Sequence, residues 1–327
     1  MPNLVDWNDA AQDAFAGDLV TIFAYTTPAG GAVAVPVSPT GGVDRAAGEI
    51  SVTTSLAFNR KLRHLLRDPR VAMAYHTREH GFAAGDDFIL AQGVANVPLK
   101  PSPERLAAIE PDMNRFLGAA PTGPVWDWLL REYHQERVVI DIAVRRVASW
   151  PALDGSGVLR VAGESWPVDG PAPQKPPAKG TAPRVDTAKL HKQVHKLPHQ
   201  LVAFRGADGF PVVVPVRVAG PDPRGLRLEA AAGLLPEGGR RAGFAAHSFG
   251  PQAIGLATRW ATGWLEVHGD EAVYAAHTSA GFIAPPIKTL QTFVNGVMAK
   301  QGIRKARRDG TLTELAALKA AAANSPS

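Results

Sequence analysis

The second half of this chain repeats landmarks of the first in the same order, and that repeat limits the possible folds more than any other feature. Ala34-Val35-Pro36-Val37 is echoed by Val213-Val214-Pro215-Val216, each after a short apolar run that ends in a Gly-containing turn. Arg70-Val71-Ala72-Met73-Ala74-Tyr75-His76-Thr77 is echoed by Arg241-Ala242-Gly243-Phe244-Ala245-Ala246-His247-Ser248, with Arg, Ala, His and a hydroxyl in register. Gly93, inside the next long strand, is echoed by Gly263. The offsets, from 34 to 213, 70 to 241 and 93 to 263, are 179, 171 and 170, nearly constant after one deletion of about eight residues. Chance similarity among Ala- and Val-rich strands is the competing explanation, and three landmarks in matched order favour a true repeat.

Within the first half, short period-2 runs punctuated by Gly and Pro alternate with a few helical patches, which predicts antiparallel sheet with helices attached. The spacing predicts strands over Val20–Tyr25, Ala32–Ser38, Glu49–Thr54, Val71–Thr77, Phe88–Val97 and Val138–Val147. Helices are predicted over Ala57–Arg67, Pro103–Phe116 and Val125–Gln135, the last opened by Pro124, which suits a first helical turn. The deletion falls where the first of these helices would recur. Residues 232–240 are too few and too Gly-rich for a helix, so whatever Ala57–Arg67 does belongs to the first half alone. Arg240 and Arg241 are the basic residues left there, in what reads as a Gly-rich turn.

Between the halves, residues 165–184 hold six prolines and two glycines, a mixture that favours extended backbone and offers little to bury. The expected organisation is a first unit over 1–150, a Pro-rich linker over 151–186, a second unit over 187–312 and an Ala-rich, fraying tail over 313–327. With 327 residues, two domains is the ordinary expectation. The chain has no cysteine, which removes disulfides, thiolate metal sites and cysteine nucleophiles. A net charge of +5 is too mild to argue for nucleic acid. No basic and apolar leader opens the sequence, and no apolar run approaches a membrane span, so a cytoplasmic protein with no membrane partner is expected.

The helix after Ile50-Ser51-Val52-Thr53-Thr54-Ser55 carries the chemistry. Phe58, Leu62 and Leu65 share one face, while Arg60, Arg63, His64 and Arg67 share another. Three hydroxyls precede the helix, and its free N–H groups and dipole favour an anion, which Arg60 and Lys61 would complete as a phosphate site. A solvated basic helix face gives the same charge pattern, and on that pattern alone both readings stay open.

The stretch from Thr53-Thr54 through Arg60-Lys61 to Leu65-Leu66-Arg67-Asp68-Pro69-Arg70-Val71 resembles the pyridoxamine 5′-phosphate oxidase-like split β-barrel superfamily, in particular its flavin and deazaflavin oxidoreductase branch. The likeness covers most of residues 15–150. It implies a mainly β fold with helices, two tandem split β-barrels forming a pseudo-dimer within one chain, and a cofactor in the groove between them. That cofactor would be FMN or the 8-hydroxy-5-deazaflavin coenzyme F-420, with its phosphate at Thr53, Thr54, Ser55, Arg60 and Lys61. Tyr75, His76, Gln92 and His247 complete the expected cofactor-binding set. One site per chain is expected, serving a small-molecule substrate in a monomeric pseudo-dimer, with no catalytic side chain assigned. His64 stands where relatives often have Asn, and residues 78–87 form an insertion that bears on access to the ring.

Other constellations carry less. His76 and His247 read first as strand-end histidines bonded to backbone, with a place at the ring site as donor or acid as the alternative, and a haem role, of the kind some split-barrel relatives carry, well behind both. His191, His195 and His199 have helical spacing, but Pro198 stops the helix and no metal site is expected. Trp260 and Trp264 read as core or inter-barrel contacts, Trp126 and Trp128 as packing, and the basic run at 304–308 as solvated surface that a cofactor's anionic tail could meet. Ser-x-x-Lys, Gly-x-Ser-x-Gly, Walker-type and dinucleotide-binding motifs are absent. A carrier that stores the cofactor without turnover, or a scaffold that has lost it and keeps the fold for interaction, is the expectation from another class.

Overall fold

The computed structural model describes residues 5–100 and 102–323; the first four residues of the expected first unit and the last four of the expected tail lie outside them. The first sheet contains β1 (Thr21–Thr26), β2 (Ala32–Val37), β3 (Val43–Asp44), β4 (Glu49–Ser55), β5 (Arg70–Tyr75), β6 (Phe88–Asn96), β7 (Arg137–Trp150) and β8 (Arg160–Gly163). The second contains β9 (His199–Arg205), β10 (Pro211–Pro215), β11 (Arg217–Asp222), β12 (Gly225–Glu229), β13 (Gly238–Ser248), β14 (Ala257–His268) and β15 (Glu271–Ile283). The helices are α1 (Asp9–Gly17), α2 (Asn59–Arg67), α3 (Pro103–Leu117), α4 (Pro124–Gln135), α5 (Thr187–Val194), α6 (Lys288–Arg308) and α7 (Thr311–Ala323). No helix among the described residues is long and apolar enough to cross a membrane.

All pairings are antiparallel, and the two sheets share one strand order. It runs β2-β1-β5-β6-β7-β4-β3 in the first, with β8 added beside β7, and β10-β9-β13-β14-β15-β12-β11 in the second. The sequence landmarks fall at matched registers: Ala24 pairs with Ala34 and Ala72, and Ala203 pairs with Val213 and Gly243. Gly93 and Gly263 both follow a bulge in the strand pair. Each is required by close backbone, since a Cβ at Gly93 would lie 2.4 Å from the Ala143 carbonyl oxygen and one at Gly263 would lie 2.1 Å from that of Ala275. The fold is mainly β with helices, built on two antiparallel sheets that share one strand order.

Strand alternation divides the first sheet between two cores. Phe23, Met73, Tyr75 and Ile89 face the first unit's own core, under Trp7 and Phe15 of the amino-terminal segment. Ile22, Ala24, Ala72, Ala74 and Leu90 face the other way and pack with the second unit's core. Small residues let the sheets approach closely; a Cβ on Gly243 would lie 2.6 Å from the Ala32 carbonyl oxygen.

Three segments differ from expectation. The Pro-rich linker is docked, with Trp166 packed on the inter-sheet core and hydrogen bonds from Gln174 N to Gly239 O (2.7 Å) and Arg184 N to Ala276 O (2.9 Å). Its prolines have no N–H to satisfy, and two of the donors that remain, Gln174 N and Arg184 N, bond to carbonyls of the second sheet. The last helices return to the first unit: Ile303 of α6 and Leu315 of α7 are buried in its core. Arg240 and Arg241 belong to β13 and are not in a turn; Arg240 is buried and donates to the Pro171 carbonyl at 2.9 Å, which fastens the linker.

Candidate functional site

β4 ends in Thr53, Thr54 and Ser55, and the chain then turns through a 3-10 segment at Leu56–Phe58 into α2. The Ser55 hydroxyl accepts from Ala57 N at 3.1 Å, so it caps that turn; Thr53 and Thr40 share a hydrogen bond of 3.0 Å. The turn delivers Lys61 to the wall of a cavity of about 530 Å³ between the two sheets. Thr53, Thr54, Ser55 and Lys61 line one side of it, and Thr258, Trp260, Gly281 and Phe282 of β14 and β15 line the other. Its volume is in the range of small-molecule sites.

Electrostatics mark this cavity as a place for an anion. Among the described residues Lys61 has no hydrogen-bond or ion-pair partner, and desolvation lowers its pKa to about 8. The buried Thr258 hydroxyl also lacks a partner. An unpaired hydroxyl in a protein interior is costly, and a bound ligand atom would satisfy Thr258, while Lys61, half-buried on the opposite wall, offers an anion a cation with no other partner among the described residues.

The basic face of α2 is only partly available. Arg63 pairs with Glu314 of α7 at 2.7 Å, and Arg67 lies 3.8 Å from the same carboxylate. Arg60 is exposed and does not line the cavity, so of the expected Arg-Lys pair the structure brings only Lys61 to the site. His64 stacks on Tyr25 with ring centroids 5.5 Å apart.

The other expected binding residues lie elsewhere. Tyr75 is buried in the first core against Phe15, because alternation along β5 turns it away from the second sheet. Gln92 is buried between the sheets, donating to the Pro211 carbonyl at 2.6 Å and accepting from Arg146. His76 and His247 meet each other, Nε2 to Nε2 at 2.7 Å, with His199 beside both and Glu79 3.2 Å from His199 Nε2. His76 also bonds the Ala74 carbonyl through Nδ1, and none of these histidines lines the cavity. His191 and His195 stack on each other, whereas His199 is on β9; no metal-holding group occurs among the described residues.

Arg137 is the site residue that sequence reading missed. It lies opposite Ser55 in the β4–β7 ladder, is 5% exposed, and lines the cavity. A basic residue opening a Val-Val-Ile strand was its one visible signal, and the long-range register that aims it was not readable. A second cavity, of about 630 Å³ between α3, α4 and α6, shares Leu117, Tyr133, Arg137, Gln291 and Asn295 with the first.

The groove related to this one by the repeat is filled. Gln92, Arg146, Leu234 and linker residues 166–171 surround only about 240 Å³ there, with Trp166 edge-on to Trp150 at 6.1 Å and the Arg146 guanidinium 5.3 Å from the Trp166 ring.

No protein-family profile matches the chain. No curated protein matches it. Solved structures do. A putative pyridoxamine 5′-phosphate oxidase from Listeria innocua is 12% identical, with a TM-score of 0.31, over 44% of this chain and 98% of that one. A conserved hypothetical protein from Mycobacterium tuberculosis is 22% identical, with a TM-score of 0.33, over 46% and 89%. A heme-binding protein from Mycobacterium smegmatis is 16% identical, with a TM-score of 0.32, over 91% and 99%.

Proposed function

We propose that the chain is an oxidoreductase that binds FMN or a deazaflavin in the inter-sheet cavity, one per chain, and acts on a small organic substrate. The observation that carries this reading is the convergence of an unpaired Lys61 with the β4 hydroxyls on a cavity whose opposite wall presents Trp260 and Phe282. Lys61 and the hydroxyls of Thr53, Thr54 and Ser55 would hold the phosphate, with Arg137 beside them; the aromatic pair and the Val35–Val37 edge would hold the ring. A bound flavin or deazaflavin supplies the hydride or electron chemistry, so the protein's task is to anchor, orient and exclude water. The linker-filled groove supports one site per chain.

Haem is not favoured, because no histidine lines the inter-sheet cavity; of the clustered histidines His76 uses both ring nitrogens, on Ala74 and His247, and His199 Nε2 faces Glu79, while His247 keeps one buried nitrogen, Nδ1, without a partner.

Calorimetric titration with FMN and with the deazaflavin coenzyme tests the proposal. One-to-one binding of either is expected, and Lys61→Gln is expected to weaken it about ten- to a hundredfold, the loss of one or two charged hydrogen bonds. Equal affinity in the variant would remove Lys61 from the phosphate site. Binding of neither cofactor would overturn the assignment, and tight binding without turnover would leave a carrier.

A further inference from the structure

Arg137 is buried, yet no carboxylate lies within ion-pair distance of it among the described residues. Its guanidinium contacts the Met113 sulfur at 2.7 Å and lies 4.5 Å from the Tyr133 ring centroid. These soft neighbours hold the group without neutralising it, and a buried guanidinium with nothing to neutralise it is costly. It is also the one cation lining both cavities, whereas Lys61 lines only the inter-sheet cavity. The helical cavity carries a second cation, Lys288, whose ammonium bonds, among the described residues, only the Gln252 side-chain oxygen (3.1 Å). Glu110 and Asp127 line the same cavity, and neither forms an ion pair with either cation. Leu106, Leu117 and Leu130 give it an apolar wall.

From this juxtaposition we propose that the helical cavity is the substrate chamber and that Arg137 binds a carboxylate of an otherwise apolar substrate at the point where the chamber opens into the inter-sheet cavity. The planar fork of Arg matches a carboxylate's two oxygens, while Lys61, a point charge, is left for the cofactor phosphate. The assignment of the chamber to substrate rests on the cofactor reading of the neighbouring cavity; the carboxylate site itself does not.

The test is binding of naphthalene-2-carboxylate and its carboxamide to the full chain, followed by tryptophan fluorescence, with and without FMN. The wild type is expected to prefer the carboxylate by about tenfold or more, the scale of charged hydrogen bonds. Arg137→Gln is expected to erase that preference, Arg137→Lys to keep part of it, and Lys61→Gln to leave it intact while weakening FMN. No preference in the wild type overturns the proposal without recourse to any variant. So does a preference that survives in a folded Arg137→Gln protein, or an Arg137→Gln protein that loses FMN as severely as Lys61→Gln while keeping the carboxylate. Arg137-dependent carboxylate binding in a chain that binds neither cofactor would uphold this site and sink the cofactor reading alone.

Discussion

Asp208→Ala is expected to destabilise the folded chain by about 2 to 5 kcal/mol, read as a lowered urea midpoint at unchanged slope. Asp208 sits in the turn between β9 and β10 and pairs with Arg146 of β7, whose side chain is 4% exposed. Arg146 also donates to Gln92 and to the Ser165 carbonyl (2.7 Å), so one guanidinium ties together the first sheet, the second sheet and the linker. Removing the carboxylate strands that charge in a nearly dry place, and the penalty is the unpaired cation more than the lost attraction. Because Asp208 also accepts from Phe210 N at 3.1 Å, part of the loss belongs to the turn. Asp208→Asn keeps a turn acceptor and should isolate the charge. Glu229→Ala removes the partner of Arg217, where both side chains are more than half exposed, and should cost under about 1 kcal/mol. Equal losses at Asp208 and Glu229 would mean that the Arg146 network does not hold the sheets together.

That network also shows how the two sheets differ. Gln92 and Arg146 face each other just before the Gly93 bulge, and their counterparts, Thr262 and Thr278, face each other just before Gly263 and bond at 2.6 Å in an exposed position. One half uses these positions to bind the linker into a groove. The other leaves its groove open, where Trp260 and Phe282 face Lys61. The repeat supplied two grooves, and the linker reduces them to one.

Local patterns made much of this legible. Period-2 runs placed six strands of the first sheet to within a few residues, because a half-buried strand must alternate, and left out the short β3 and β8. The absence of a second α2 was readable from Gly and Pro between β12 and β13. What stayed hidden depends on long-range partners. Arg63 and Arg67 look like a free basic face until α7 returns with Glu314. Arg137 becomes a site residue only through its register opposite Ser55. Alternation along β5 was readable and already turns Tyr75, with Met73, toward the core, one residue before His76 leaves the strand.

The stability of the chain is expected to fall steeply below pH 6.5 through the buried histidine pair. Burial, then the neighbouring His199 and Arg78, lowers the pKa of His76 to about 3, with the Ala74 carbonyl opposing. Burial, then His76 and His199, holds His247 well below its ordinary value, and its Nδ1 has no partner to accept a proton's charge. At 2.7 Å the two Nε2 atoms share one proton, one ring donating and the other accepting, so charging both is excluded while the sheets stay together. The unfolded chain takes up these protons below about pH 6.5 and the folded chain does not. The contribution is therefore complete above that pH and is lost as pH falls toward 3. Each histidine costs about 1.4 kcal/mol per pH unit in that window, so the pair costs close to 3. Asp18 acts with the opposite sign, since burial raises its pKa to about 8 despite Arg78 at 2.7 Å, and it favours the folded state as pH falls from 8 to about 4. The quantity to measure is thus the difference in pH slope between the wild type and His76→Gln/His247→Gln, from urea unfolding at pH 7, 6 and 5. A shallower slope in the double variant by about 2 to 3 kcal/mol per unit is expected, and parallel slopes would show that the sheets admit protonated histidines at their junction.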